Sequence, residues 1–385
     1  MKNRKICVVI TARPSYSRVK TLLSAINDSE KLKLQIVVSG SALINKYGSV
    51  HNFIRDDGFK IDAEVFNVIQ GESIISSAKT TGIGLIEIST IFSNLKPDVV
   101  ISIADRFETM ATAIAASYMN IPLAHIQGGE VTGNIDEKVR HAITKLSDFH
   151  FVASKDAYDR VLKLGENEDC VFNTGCPSID IAKSIINQKK IDLDIYGKYG
   201  GVGSFPDYSN GYWVVLQHPV TTEVNLSKKQ IEETLKSVKL LNEPILWFWP
   251  NMDSGTDGTS RGLRSFREKH NLENFHFFKN FNSSDFLKLI YFSNGLIGNS
   301  SVGIRECSSL SVPVVNIGSR QNRRQRGRNV IDVDYDSNEI FSAVNKIKNS
   351  NRPSASKIYG DGNSGPRISK ILEDIQLKSH KTIAY

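Results

Sequence analysis

Short runs of β-branched and aromatic residues recur along the chain, and segments long enough for helices separate them. Runs of this length, bounded by Gly, Pro and Asp, are typical of strands buried on both faces of a sheet. The alternation predicts an α/β protein whose parallel sheets are covered by helices. The predicted strands are Ile6–Ile10, Leu34–Val38, Val99–Ile103, Leu123–Ile126, Phe149–Val152, Trp213–Leu216, Ile245–Phe248, Phe275–Phe278, Gly295–Ile297 and Val314–Ile317.

A polar segment divides these strands into two sets. Residues 187–211 are rich in Lys, Asp, Gly, Tyr and Ser, which is typical of a linker. We therefore predict α/β domains over 1–186 and 212–364. Residues 365–385 are expected to form a helix, near Arg367–Leu377, and a tail, with packing back on the first domain as one alternative. Two such domains predict a ligand-binding cleft at the carboxyl ends of their strands.

Composition excludes several other classes of protein. The 385 residues are 40% hydrophobic, enough for ordinary cores and too much for a disordered or collagen-like chain. The four cysteines (Cys7, Cys170, Cys176, Cys307) are widely spaced, which favours reduced thiols over a disulfide framework or a zinc site. The first apolar run is too short for a signal peptide, and no run reaches the roughly 18 residues of a membrane span. These features predict a cytoplasmic protein with no membrane partner.

The basic excess leaves two interpretations open. Lys and Arg total 48 against 41 Asp and Glu, a formal charge of +7 that fits either an acidic ligand or a basic surface. Arg320 and the arginines of 323–328 supply much of this charge. Since no aromatic residues interleave them, they do not resemble a nucleic-acid patch.

Polar residues follow two predicted strands of the first half. Arg13 and Ser17 come after the first strand at a helix start, where they can either bind an anion or serve the helix as a cap. Asp105 and Arg106 follow Val99–Ile103. A carboxylate there suits a general base and an arginine suits a phosphate, while a local ion pair is the alternative.

Acidic residues and histidines crowd the segment after the strand that ends at Ile126. Glu130, Asp136 and His141 lie there within a few residues of His125 and Arg140. This density favours proton transfer over a purely structural role. A metal is less favoured because the histidines lack ligand spacing.

Strand ends of the second half carry polar residues suited to a nucleotide. His218 and Asn251 each follow a strand, although Asn251 is equally typical of a turn. Gly298-Asn-Ser300-Ser301 predicts a helix start whose hydroxyls and amides face a diphosphate. Glu306, about one and a half turns further along, is placed to accept hydrogen bonds from a ribose.

Taken together, these motifs resemble the hydrolysing UDP-N-acetylglucosamine 2-epimerases of bacterial sialic-acid and legionaminic-acid pathways and of the animal bifunctional enzyme. That resemblance implies two Rossmann-like domains in a glycosyltransferase-B-like arrangement, no metal and no cofactor. A homodimer or a dimer of dimers is expected. The matching segments run in one order along nearly the whole chain: Arg13–Ser17, Asp105–Phe107, Gly128–Glu130, Ile135–Asp136, Arg140–Lys145, Gly175–Ser178, Gln217–Thr222, Pro250–Asn251, Gly298–Ser301, Arg305–Glu306, Arg320–Gln321 and Lys357–Asn363.

The resemblance also implies residue roles. UDP would be lost together with the C2 proton to give a 2-acetamidoglucal, and water would then add to give N-acetylmannosamine. Many relatives have Glu where this chain has Gln127, which cannot act as a base. The implied catalytic residues are Asp105, Asp136, His141, Glu130 and His218. Those implied to hold the UDP-sugar are Arg13, Ser17, Arg106, His218, Asn251, Ser300, Ser301, Glu306 and Arg320.

Three alternatives stay open. The same reaction on UDP-N,N'-diacetylbacillosamine is the nearest, because the pocket for the sugar's 4- and 6-positions cannot be read from one sequence. A glycosyltransferase of the same fold would bind a nucleotide sugar yet need an acceptor. A nucleotide-sugar-binding regulator would not need the acidic and histidine cluster at all.

Overall fold

Two seven-stranded sheets organise the chain in the computed structural model, which describes residues 3–69, 73–132, 135–250, 255–377 and 381–385. Contacts divide the described residues into two units. Unit 1 lies within Met1–Val131, Ile135–Ile181 and Ile358–Tyr385, and unit 2 within Thr132–Asn134 and Ala182–Lys357.

Unit 1 has a parallel sheet in the order β3-β2-β1-β4-β5-β6-β7. Chain order reverses between β1 and β4, which is the strand order of a dinucleotide-binding fold. Its strands are β1 Arg4–Ile10, β2 Leu32–Ser39, β3 Ala63–Val65, β4 Val99–Ile103, β5 Leu123–Ile126, β6 Phe149–Val152 and β7 Val171–Asn173. The helices of this part are α1 Arg13–Ser17, α2 Lys20–Asn27, α3 Val50–Asp56, α4 Ile74–Leu95, α5 Thr109–Tyr118, α6 Ile135–Leu146, α7 Lys155–Lys163, α8 Pro177–Ile185 and, late in the chain, α16 Ser364–Asp374. The last four residues of α8, from Ala182, are assigned to unit 2.

Unit 2 repeats this order over six strands of its own sheet, β14-β13-β12-β9-β10-β11-β8, and its seventh strand, β8, lies at the other edge. The reversal here falls between β9 and β12, and β8 is an antiparallel edge strand on β11. The strands are β8 Val202–Gly203, β9 Trp213–Leu216, β10 Ile245–Phe248, β11 Phe275–Phe278, β12 Gly295–Gly298, β13 Val314–Ile317 and β14 Val330–Val333. The helices are α9 Ile195–Tyr199, α10 Ser227–Val238, α11 Thr256–Lys269, α12 Ser283–Phe292, α13 Ser301–Ile304, α14 Glu306–Ser309 and α15 Ser337–Lys348.

The continuous apolar runs arise because both faces of each central strand are covered. Ile6 and Val8 of β1 pack in one core cluster with α2 and α16, while Cys7 and Val9 pack in another with α4 and α5. Alternating side chains of a strand point to opposite faces, so a strand covered twice needs apolar residues at every position.

The predicted strands all form, and the structure adds four at sheet edges: β3, β7, β8 and β14. The last helix begins at Ser364, three residues before its predicted start. Asp180 causes this early start, since its carboxylate accepts the backbone N–H groups of Ser364 at 2.8 Å and Gly365 at 2.7 Å. Residues 187–211, predicted to be a linker, carry α9 and β8. Among the helices of the described residues, none has the length and apolar character needed to cross a membrane.

Candidate functional site

Most candidate residues of each unit lie around the point where its strand order reverses. In unit 1, Arg13 follows β1 and Asp105 follows β4, and these strands are neighbours. In unit 2, His218 follows β9 and Ser300 follows β12, which are also neighbours. The carboxyl ends of such strands diverge and leave a crevice for a ligand, so each unit has the geometry of a binding fold.

Asp105 is the centre of the unit 1 cluster. The residue is 8% exposed, and its carboxylate accepts a hydrogen bond from Nη2 of Arg140, which is buried. Nη1 of Arg18 lies 3.9 Å from the other carboxylate oxygen. The second Arg140 nitrogen, Nη1, donates to the backbone carbonyl of Glu130 at 2.8 Å. Two guanidinium groups thus stabilise the ionised form of Asp105, and Arg140 ties it to the Glu130 loop.

Helix α6 brings two further predicted groups to this cluster. Asp136 is four residues before Arg140, so the two side chains share a face of the helix. His141 is half-buried, with Nε2 3.6 Å from Glu137. Burial, and next the charge of Arg140, lower the pKa of His141, so its ring is neutral near pH 7 and can accept a proton. Its Nδ1 is buried without a hydrogen-bond partner among the described residues.

His125 holds the backbone of Ala104, the residue that precedes Asp105. The ring is fully buried, and burial lowers its pKa to about 3, so it stays neutral. Nε2 lies 2.7 Å from the Ala104 carbonyl, which can only accept, so Nε2 carries the proton. Nδ1 lies 3.1 Å from the Thr144 hydroxyl, which donates to the Arg140 carbonyl at 3.0 Å. Ala104 precedes Asp105 and has a left-handed φ of 59°. This hydrogen bond therefore fixes the turn that aims Asp105.

Two other unit 1 candidates, and Gln127, are engaged within the protein. Arg106 is buried and forms a two-pronged ion pair with Glu108, at 3.0 and 3.2 Å. The Ser17 hydroxyl donates to the Pro14 carbonyl at 3.0 Å, in line with a structural role in the helix. Gln127, also buried, donates from Nε2 to the Cys176 sulfur at 2.7 Å.

Asn299 organises the unit 2 cluster. Its side-chain oxygen accepts from the His218 N–H at 2.7 Å and its amide nitrogen donates to the His218 carbonyl at 2.9 Å. Its own carbonyl accepts from Gln321 at 2.9 Å and from Arg320 at 3.4 Å. The residue before Asn299 must be glycine for β12 to approach β9 this closely, because a Cβ at Gly298 would lie 2.1 Å from the Leu216 carbonyl. Gly298 also has a φ of 137°, which favours glycine. Asn299 thus contacts the His218 backbone through its side-chain amide and Arg320 through its backbone carbonyl.

The prediction of one helix through Ser300, Ser301 and Glu306 is wrong, because the structure has two short helices there. Arg305, at φ −96° and ψ −70°, ends α13 and precedes α14, each four residues long. The break occurs where Nη2 of Arg305 turns back to the Ser301 hydroxyl at 2.9 Å. Ser300 is the cap residue, its hydroxyl accepting the Val302 N–H at 3.5 Å.

Glu306 is buried at the start of α14. Its Oε2 finds no hydrogen-bond donor in the described part of the chain, with Nε of Arg305 4.0 Å away. A buried carboxylate oxygen of this kind is suited to accept from ligand hydroxyls.

The remaining residues to place are Asn251 and the arginines of the basic run. Asn251 lies outside the described residues. Within the basic run, Arg324 is buried and donates to the Gln321 side chain at 3.0 Å, and Arg326 pairs with Asp332 at 3.2 Å. These two arginines therefore serve the packing of unit 2.

Sequence reasoning missed four residues as parts of the site: Arg18, His125, Arg140 and Asn299. Arg140 and His125 stood inside the dense acidic segment, so their position was a usable signal. Arg18 and Asn299 act through partners on other strands and helices, which spacing along the chain does not show.

Comparisons with known proteins identify the family of the chain. The family model of the UDP-N-acetylglucosamine 2-epimerases matches residues 24–373. The UDP-N,N'-diacetylbacillosamine 2-epimerase (hydrolyzing) of Legionella pneumophila is 34% identical over 98% of this chain and 97% of that protein. Polysialic acid biosynthesis protein P7 of Escherichia coli is 35% identical over 89% of this chain and 85% of its own.

Solved structures of other proteins share the fold of this chain. The UDP-GlcNAc 2-epimerase of Methanocaldococcus jannaschii, in complex with UDP-GlcNAc and UDP, aligns with a TM-score of 0.77 at 19% identity, over 96% of this chain and 99% of that one. The predicted fold class, a glycosyltransferase-B-like protein with two Rossmann-like domains, is confirmed. Since the family model covers most of the residues and a relative above 30% identity spans nearly all of them, the chain belongs to the UDP-N-acetylglucosamine 2-epimerase family.

Proposed function

We propose that the chain is a hydrolysing UDP-sugar 2-epimerase that acts in two steps. In the first, the C1–O bond breaks, its electron pair leaves with UDP, and a protein base takes the C2 proton, which leaves a C1=C2 double bond. In the second, water adds its hydroxyl to C1 and a proton is delivered to C2 on the other face. The product is the free 2-epimeric sugar.

The observation that carries this proposal is the Asp105 cluster. A C2 proton is weakly acidic, so the reaction needs a fixed base and strong stabilisation of the departing diphosphate. The carboxylate of Asp105 lies against the guanidinium groups of Arg140 and Arg18, and α6 carries Asp136 and the neutral His141 beside Arg140. These groups, with Glu130, provide the acid and base functions of both steps.

We assign the UDP chiefly to unit 2. His218 and Arg320 are held by Asn299, and Ser300 and Ser301 follow in the same turn. The Glu306 oxygen that has no hydrogen-bond donor among the described residues is suited to the ribose hydroxyls. Asn251 and, from unit 1, Arg13, Ser17 and Arg106 complete the proposed set. Because Arg106 is paired with Glu108, its part in binding is indirect or requires that pair to open.

We infer UDP-N-acetylglucosamine as the substrate and UDP-N,N'-diacetylbacillosamine as the alternative. Relatives named for diacetylbacillosamine and for polysialic acid are 34% and 35% identical, so their names support both. The product would accordingly enter sialic-acid or legionaminic-acid synthesis.

One assay tests the function and the substrate together. Purified protein is incubated with each UDP-sugar in D₂O, without an acceptor, and followed by NMR. We expect UDP release and a free manno-configured sugar carrying deuterium at C2 from one of the two donors. No turnover of either donor would refute the epimerase, and turnover only after an acceptor is added would favour a glycosyltransferase.

We also propose a cytoplasmic homodimer. Helix α4 supports a subunit contact, since Ile74, Ile75 and Ile86 are 75%, 69% and 69% exposed on this helix. Exposed apolar side chains grouped on one element are typical of protein interfaces.

Gly128→Ala tests the role of the His125 hydrogen bond in turnover. A Cβ at Gly128 would lie 2.9 Å from both His125 Nδ1 and Thr144 Oγ1, so it would wedge these partners apart. We expect kcat to fall about tenfold, since misplacing a reacting group by a fraction of an ångström is costly, with UDP affinity unchanged. The matched control is Gly82→Ala in α4, where a Cβ meets no atom within 4 Å and activity should be kept. Equal kcat values for both variants would contradict the role of His125.

A further inference from the structure

A lysine far along the chain caps the helix that carries the proposed catalytic groups. Nζ of Lys381 lies 3.2, 2.9 and 2.5 Å from the backbone carbonyl oxygens of Thr144, Lys145 and Ser147, at the end of α6. The last carbonyls of a helix have no partner within it and carry its partial negative charge. The ammonium group has three N–H donors for these three carbonyls and the carboxylate of Glu166, so at least one N–H is shared between two oxygens.

Lys381 is itself held by a buried carboxylate. Oε2 of Glu166 is 2.6 Å from Lys381, and Glu166 also pairs with Lys145 at 2.7 Å and His150 at 3.0 Å. Burial raises the pKa of Glu166, but these three hydrogen bonds outweigh it and bring the pKa to about 2. Glu166 is therefore a fixed anion that orients the ammonium group toward the helix end.

The segment around Lys381 has a second attachment point. The Ala384 N–H donates to the Gly165 carbonyl at 3.1 Å, and a Cβ at Gly165 would lie 2.6 Å from the Tyr385 ring. Residues 381–385 also lie beyond the 24–373 range matched by the family model. The cap therefore comes from a part of this chain that the family model does not cover.

The capped turn is one turn from the Asp105 contact. Thr144 is four residues after Arg140, so both lie on one face of α6. The Thr144 hydroxyl lies 3.0 Å from the Arg140 carbonyl and 3.1 Å from His125 Nδ1. A shift of the last turn would displace Arg140 and His125, the two groups that aim Asp105.

We propose that Lys381 is a positioning residue for the epimerase reaction, which anchors α6 so that Arg140 and His125 hold Asp105 in place. This inference rests on the proposed function. It predicts that losing the ammonium group impairs the chemical steps and leaves UDP-sugar binding nearly unchanged.

Lys381→Met removes the charge while keeping the length of the side chain. We expect amide hydrogen exchange at the end of α6 to be at least tenfold faster, kcat to fall about tenfold and KM to stay within twofold. We also expect more 2-acetamidoglucal-type intermediate to escape before hydration. Lys381→Arg should restore kcat to within about threefold. The control is Lys370→Met, which removes an exposed lysine paired with Glu373 at 2.9 Å and should behave as wild type.

The ratio of escaped intermediate to final product separates positioning from folding. A smaller fraction of folded enzyme lowers both products equally, so an unchanged ratio with lower kcat would overturn the positioning role. If amide hydrogen exchange at the end of α6 is as slow in Lys381→Met as in the wild type, Lys381 does not anchor this helix. A wild-type protein that releases no UDP from either donor would refute the proposed function, and the exchange data would still decide whether Lys381 anchors α6.

Discussion

Asp105→Asn should reduce kcat at least a thousandfold while leaving UDP affinity within about threefold. Asparagine keeps the shape of the side chain but cannot take up a proton or balance the charges of Arg140 and Arg18. Loss of a positioned base costs about 10²–10⁴ in rate, and the disturbed arginines add to it. UDP affinity should persist because the proposed nucleotide contacts lie mainly in unit 2. Isothermal titration with UDP and NMR-monitored turnover measure the two effects.

The matched control for this change is Asp159→Asn. Asp159 is half-exposed and pairs with Lys155 at 2.5 Å, so its loss removes only a surface ion pair. Because Arg140 is buried, Asp105→Asn will also lower thermal stability, and the melting temperature must be measured at the assay conditions. Turnover retained within tenfold in folded Asp105→Asn would remove Asp105 from the chemistry.

The central strands could be predicted from sequence, and the edge strands could not. β1 and β4 are covered on both faces, which forces an unbroken apolar run. β14 has partly exposed residues, and β8 is two residues long and exposed, so neither leaves a run to recognise. The early start of α16 likewise depends on Asp180, a residue far away in sequence.

The candidate site shows the same division. Asp105 and His218 were predictable because a polar residue just after a buried strand is conspicuous. What each side chain contacts was not, since Arg18 and Asn299 reach their partners only through the sheet topology. The continuous helix predicted from Ser301 to Glu306 is interrupted at Arg305, and nothing in the sequence shows the contact of Arg305 with the Ser301 hydroxyl.

Asn299→Asp is expected to weaken UDP binding about a hundredfold, through two effects. Aspartate can still accept the His218 N–H, but it has no N–H to donate to the His218 carbonyl, so two oxygens would face each other. It also adds a negative charge to the proposed diphosphate site. At about 6 Å and an effective dielectric constant near 20, one such charge costs about 3 kcal/mol, or roughly two orders of magnitude in affinity.

The same substitution at Asn274 separates these effects from loss of stability. Nδ2 of Asn274 donates to the Leu241 and Glu243 carbonyls at 2.9 and 3.0 Å, near the opposite end of the unit 2 strands. Asn274→Asp therefore removes the same type of donor and adds the same charge, so stability should fall while the Kd for UDP stays within about threefold. If calorimetry gives both variants the same Kd, the UDP does not lie beside Asn299, and the assignment of His218 and Arg320 to the nucleotide is wrong.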